Sequence, residues 1–158
     1  MNKLLLTLSA ILILFIVSCS PKVDIEAEKL QVKTVIENHL LANESENIES
    51  YLDSWADNAE MINLGSGGEY WVGRKDLEEH AVQTWEIFED SEFDLRDLVI
   101  NVDEYGRVAW FTCYFDIKAT LFGEIVTING VRFSGVLKKQ DGKWAYVQTH
   151  ASVPSPSE

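Results

Sequence analysis

Apolar residues recur along this chain with two different periods, and the change from one to the other divides it. From about Ile25 to Leu41 the apolar residues Leu30, Val35, Ile36, Leu40 and Leu41 recur at helical spacing. Asp24 supplies a carboxylate for the helix start, and Glu26 and Glu28 suit its positive end. The stretch from Asn43 to Asn47 interrupts the pattern, and a short second helix carries Ile48, Tyr51, Leu52 and Trp55. A strand from Glu60 to Leu64 runs into Gly65-Ser66-Gly67-Gly68, with a brief return strand at Tyr70-Trp71-Val72. Gly73-Arg74-Lys75-Asp76 opens a third helix bearing Leu77, Ala81, Trp85 and Phe88. Beyond it the period drops to two, in segments near residues 92–102, 107–121, 124–139 and 143–153. Asp103-Glu104-Tyr105-Gly106, Phe122-Gly123 and Asp141-Gly142 punctuate them, and Asn129-Gly130 is a rival turn that would split the third.

Helices first and long antiparallel strands afterwards define an α+β fold, with helices on one face of a bent sheet. The last strand has two unlike rows. Ala145, Val147, Thr149, Ala151 and Val153 are small and mainly apolar, as a packed face should be. Trp144, Tyr146, Gln148, His150 and Ser152 mix aromatics with amide, imidazole and hydroxyl groups, a composition that suits a pocket wall. Trp110, Thr112, Tyr114 and Asp116 share one face of a neighbouring strand, and Arg132, Ser134 and Val136 share one of another.

Should these rows meet on the concave side, Trp110, Tyr114, Arg132, Tyr146 and His150 line a cavity, with Trp71 at its rim. Such a cavity suits a mostly apolar small molecule carrying an acidic or carbonyl group, which Arg132 would pair. The alternative turns these rows outward as a dimer surface, leaving Phe111, Phe115 and Phe133 to pack the core. A bulge at Gly130 would shift the register of Arg132.

The front of the chain is of another kind. Lys3 precedes a mainly apolar run from Leu4 to Val17, shorter than the roughly 20 residues a membrane-spanning helix needs. It ends Ile16-Val17-Ser18-Cys19, which resembles the lipobox of bacterial lipoproteins. That resemblance implies cleavage before Cys19, acylation of its thiol and attachment to the cell envelope through the lipid. The alternatives are a secreted protein cut at a neighbouring small residue, or an uncleaved anchor helix. The expected division is a signal peptide over 1–18, a lipidated tether over 19–26, one domain over 27–153 and a flexible tail over 154–158.

The formal net charge is −13, and removing residues 1–18, with one lysine and no acid, makes it more negative still. So acidic a chain repels nucleic acid and anionic head groups. With Cys19 committed to lipid, Cys113 stands alone on an apolar strand face and reads as a buried, inert thiol.

Four segments then carry a family resemblance: Trp55-Ala56-Asp57-Asn58-Ala59, Gly73-Arg74-Lys75-Asp76-Leu77, Arg107-Val108-Ala109-Trp110 and Lys139-Gln140-Asp141-Gly142-Lys143-Trp144. Together the chain resembles the SnoaL-like, or ketosteroid-isomerase-like, branch of the nuclear transport factor 2-like superfamily, over about residues 27–153. The resemblance implies a cone: a curved sheet wrapped over helices, with a cavity at the open end. Isomerases, cyclases, dehydratases and purely binding or dimerising proteins share that fold, so it does not fix a function. A gapless count places the isomerase base on Asn63 and its oxyanion tyrosine on His39. An amide takes up no proton at neutral pH, which removes that mechanism. The remaining acid–base candidates are His150 and Asp57, with Glu60 and Asp116 behind them. No histidine has a partner at metal-ligand spacing beyond the Asp76/His80 pair, so neither metal nor cofactor is expected. The partners expected are a small molecule, the membrane through Cys19, and a second copy of the chain, with no nucleic acid.

Overall fold

The computed structural model describes residues 22–57, 60–65 and 68–153. The expected signal peptide, Cys19 and the tail from residue 154 lie outside them. Among the described residues no helix is long and apolar enough to cross a membrane. Three helices precede or interrupt a single six-stranded sheet: α1 (Ile25–Glu44), α2 (Ile48–Asp53), β1 (Ile62–Leu64), β2 (Tyr70–Val72), α3 (Gly73–Ile87), β3 (Phe88–Val102), β4 (Val108–Leu121), β5 (Glu124–Gln140) and β6 (Lys143–Ser152). The strand order is β2-β1-β6-β5-β4-β3, with every neighbouring pair antiparallel except the short β1–β6 pair.

Local chemistry sets the helix ends. Asp24 accepts the Ala27 N–H at 3.1 Å and begins α1, and Asn47 accepts the Ser50 N–H at 2.9 Å and begins α2. Helix α1 buries Val32, Ile36, His39 and Leu40, one face of an α-helix, against the sheet. Helix α3 buries Leu77, Ala81 and Trp85. From β4 come Ala109, Phe111, Cys113 and Phe115; from β5 come Val131, Phe133 and Leu137. Aromatic rings dominate this core, with Phe133 lying 5.1 Å from Phe111 and 5.6 Å from Phe115 in edge-to-face contact. Gly135 belongs to this packing, because a Cβ there would stand 2.7 Å from the Phe111 ring. Cys113 is buried, and desolvation pushes its thiol up to about 12, out of the nucleophilic range.

Two bulges determine which residues face which side. Asn129-Gly130 makes no turn: β5 runs through it, and the extra residue sits opposite Asp116, which accepts the Gly130 N–H at 2.6 Å. The second bulge lies in β6. Leu137 pairs with Tyr146 but Val136 pairs with Gln148, so Val147 is the inserted residue. Strict alternation therefore fails at that point. Trp144 and Tyr146 point inward, and the inward row continues as Thr149 and Ala151. Gln148 and His150 are turned to the opposite side.

That corrects the expected pocket. Trp110, Tyr114, Arg132 and His150 do not converge inside the cone; they lie on the sheet face away from the helices, where Trp110 is 48% and Tyr114 40% exposed. On β4 the reason is parity, since Phe111, Cys113 and Phe115 take the inner face and their alternates must take the outer. On β6 it is the bulge. Tyr146 is inside, but wholly enclosed in the core with 0% exposure rather than lining a cavity.

Candidate functional site

The open end of the cone is built from β1, β2, α3 and the inner face of the sheet. Asn63 pairs with Trp71 across β1–β2 and with Thr149 across β1–β6, so these three side chains form one inward row. Gly65 donates its N–H to the Glu69 carbonyl at 3.0 Å, closing the connection between the two short strands. A Cβ on Gly65 would stand 2.8 Å from the Trp71 ring and 2.6 Å from the Glu69 carboxylate, so glycine lets the indole lie flat over the loop.

Between this edge and the sheet is a cavity of about 430 Å³. Its apolar wall comes from Phe93, Phe115, Ile117, Ile128 and Val131, closed on the helix side by Ile87. Its polar wall is Asn63, Glu69, His80, Gln83 and Thr84, with Trp71 between the two. This is the size and composition of a small-molecule site.

His80 is the centre of the polar wall. Its ring stacks on Trp71 with centroids 3.5 Å apart and planes 16° from parallel. Its Nδ1 lies 3.2 Å from Thr84 Oγ1, and that hydroxyl donates to the His80 carbonyl at 2.9 Å. One hydroxyl hydrogen cannot serve both contacts. With it on the carbonyl, Oγ1 accepts, so Nδ1 carries the ring proton and Nε2 the lone pair. Burial lowers the pKa of His80, and the Glu69 carboxylate partly opposes that shift. Burial thus favours the neutral form of an imidazole that lines the cavity, with Nε2 assigned as its acceptor. Opposite, Thr149 Oγ1 donates to Asn63 Oδ1 at 2.8 Å, leaving the carboxamide N–H₂ as the group Asn63 can offer.

The residues singled out in the sequence are dispersed relative to this cavity. Trp71 lines it, as expected of a rim residue. Asn63, the position of the isomerase base by count, lines it as an amide donor, so the base is missing where the chemistry would need it. His39, the counted tyrosine position, sits outside it in the core, bonded through Nδ1 to Ser54 Oγ at 2.8 Å. Burial alone takes its pKa down to about 3. Asp57 is exposed just beyond α2 and is not among the described residues lining this cavity. Asp116 is tied to Arg96 at 2.8 Å and to the Gly130 bulge. Arg132, Tyr114 and His150 share a shallow depression of about 420 Å³ on the outer face with Asp97 and Ser134.

Sequence reasoning missed His80, Thr84 and Glu69 as a group. The signal available was a histidine and a threonine four apart, one residue to the side of the buried Leu77, Ala81 and Trp85 stripe. That spacing places both at the border between packed and open helix surface. Among the described residues no group of three His, Cys, Asp or Glu side chains forms a possible metal site.

A helix-filled curved sheet with one cavity at its open end is the cone architecture of nuclear transport factor 2-like proteins. The SnoaL-like domain model matches residues 32–156, and the chain belongs to that family. Solved structures agree on the fold. A candidate dehydratase of the NTF2-like family from Streptomyces avermitilis is 20% identical, with 82% of this chain and 99% of that one covered at a TM-score of 0.74. An NTF2-like superfamily protein from Salmonella enterica serovar Typhimurium is 18% identical, covering 84% and 95% at 0.75. A candidate scytalone dehydratase from Novosphingobium aromaticivorans is 9% identical, covering 82% and 85% at 0.72. No curated protein matches the sequence.

Proposed function

We propose that this protein is a lipid-anchored component of the bacterial cell envelope that holds a small, mostly apolar molecule in its conical cavity. The observation that carries the reading is the 430 Å³ space itself, with five apolar side chains on one wall and a short polar row facing them. Support for the anchor comes from Ile16-Val17-Ser18-Cys19 at the end of the apolar run. Ketosteroid isomerase chemistry is not part of the reading, because Asn63 offers no base.

An acid–base isomerase, cyclase or lyase is the second reading, and one observation favours it: His80 lines the cavity with its Nδ1 3.2 Å from Thr84 Oγ1. Two of the similar structures are candidate dehydratases, which is compatible with that reading at the level of fold. A third element is self-association through the outer sheet face, where Val99, Trp110 and Tyr114 are exposed.

N-phenyl-1-naphthylamine, an uncharged dye that brightens in apolar surroundings, tests the cavity directly. The protein lacking residues 1–18 should bind it one to one. The Ile128→Trp variant, which fills the space, should not. Equal binding by both removes the reading. In cells, Cys19→Ser should move the protein from the membrane fraction to the soluble one, and a protein that stays membrane-bound removes the anchor.

A further inference from the structure

The polar wall of the cavity restricts what can occupy it. Arg132, the cation that would have paired an acidic ligand, is on the opposite face of the sheet. The described residues lining the cavity include no lysine and no arginine, while the Glu69 carboxylate lies close enough to His80 to act on its charge. An anionic ligand would lose its hydration there and meet a carboxylate instead of a counter-ion. The hydrogen-bonding complement is equally one-sided. With Thr84 Oγ1 donating to the His80 carbonyl, the ring proton is assigned to Nδ1 and the lone pair to Nε2, and Asn63, whose oxygen already accepts from Thr149, has its N–H₂ to offer. The Trp71–His80 stack supplies a flat aromatic surface beside both.

We infer that the ligand of this cavity is an uncharged, planar molecule with a hydroxyl group that donates to His80 Nε2, that Asn63 holds an acceptor oxygen on the same molecule, and that Thr84 is the positioning residue that fixes this selectivity. The inference rests on the cavity being a small-molecule site, and it names the class of molecule that site takes. It also replaces the acidic group expected when Arg132 was placed inside. The hydroxyl fills an acceptor that would otherwise be left without a partner on ligand binding, so a methyl ether of the same shape leaves that nitrogen desolvated and unpaired. Fixing the tautomer in advance removes an ordering cost from binding.

Four probes of one shape separate the terms, each displacing N-phenyl-1-naphthylamine at neutral pH: naphthalene, 2-naphthol, 2-methoxynaphthalene and 2-naphthoate. Binding of naphthalene reports the cavity alone. The naphthol should bind roughly tenfold more tightly than its methyl ether, the worth of one hydrogen bond between neutral groups. The naphthoate should bind more weakly than naphthalene. His80→Phe keeps a ring against Trp71, so naphthalene should still bind while the naphthol preference disappears. Thr84→Val should reduce that preference, read as the ratio of naphthol to naphthalene affinity within the variant. Nitrogen-15 spectra of histidine-labelled protein should show His80 Nε2 as an unprotonated ring nitrogen, and Thr84→Val should shift it towards a tautomer mixture. Naphthol and ether binding alike, naphthoate binding as well as naphthol, or a protonated Nε2 would overturn the inference while leaving the cavity reading intact. Failure of naphthalene and naphthol together would remove both.

Discussion

The closed and open ends of the cone each contain a histidine beside aromatic rings, and the two behave oppositely. At the closed end His39 is enclosed by Tyr51, Trp55, Phe133 and Tyr146, with ring centroids between 4.8 and 6.3 Å away. Its Nδ1 is bonded to Ser54, whose hydroxyl in turn donates to the Tyr51 carbonyl at 2.6 Å. The backbone is stitched shut at the same point: Ala56 donates to the Tyr146 carbonyl and Tyr146 to the Ser54 carbonyl, both at 2.9 Å. At the open end His80 has a comparable local bond, to Thr84, but only one stacked ring and a cavity before it. An imidazole next to aromatic rings is thus no marker of function. What separates the two ends is whether the ring nitrogen that its neighbour leaves open faces protein or space.

Substitution of the enclosing rings should break this comparison most strongly. Tyr146→Ala removes a wholly buried ring and should cost about 3–5 kcal/mol in urea unfolding, whereas His80→Ala should cost within about 1 kcal/mol. Similar losses at both sites would show that the open end is structural too. Among the described residues the Tyr146 hydroxyl has no hydrogen-bond partner, so Tyr146→Phe should leave stability unchanged or slightly raised.

Acid titration sharpens the contrast next. His39 has a folded-state pKa of about 3 against the usual ~6.5 of an unfolded histidine, so between those values the unfolded chain binds a proton that the folded chain refuses. The contribution is fully present above about pH 6.5 and lost as pH falls through that window, at up to about 1.4 kcal/mol per unit. His80 is also held low by burial and adds a slope of the same sign, so the measurement belongs in a His80→Phe background. There, His39→Leu should flatten the dependence of urea-unfolding stability on pH between about 6.5 and 5. An unchanged slope would mean that His39 is charged in the fold or exposed to water.

At Gly65 the effect is expected on binding more than on stability. Gly65→Ala places a methyl against the Trp71 ring and the Glu69 carboxylate, so the indole must tilt away from His80. Thermal unfolding should move only a little, by about 1 kcal/mol or less, while naphthol binding falls several-fold. Unaltered binding would mean that the Trp71–His80 stack contributes nothing to the site.

Much of this architecture was legible in the sequence because periodicity and caps report local structure directly. Asp24 caps α1 as its position suggested, and three helices precede the long antiparallel strands. Cys113 and the Phe111, Phe115 and Phe133 row pack inward, one of the two arrangements the alternation left open. The site was far less legible. Parity along a strand specifies two faces but does not say which is concave, and an inserted residue inverts it without any local signature at Val147. His80 and Glu69 lie on different elements, and the sequence had no means of bringing the β1–β2 edge over α3. Asn63 was the exception, since counting from the Trp55-to-Ala59 motif brought it to the cavity wall as an amide.

The inserted residue in β6 has one more consequence. Upstream of Val147 the strand shows the interior its aromatic set; downstream it shows threonine and alanine and sends imidazole and hydroxyl to the exterior. Excising that one residue would place Gln148 directly after Tyr146, so plain alternation would still hold Thr149 inward beside Asn63 and His150 outward. The extra residue thus bends the strand locally without choosing the lining beyond it, and the cavity keeps its chemistry with or without that codon.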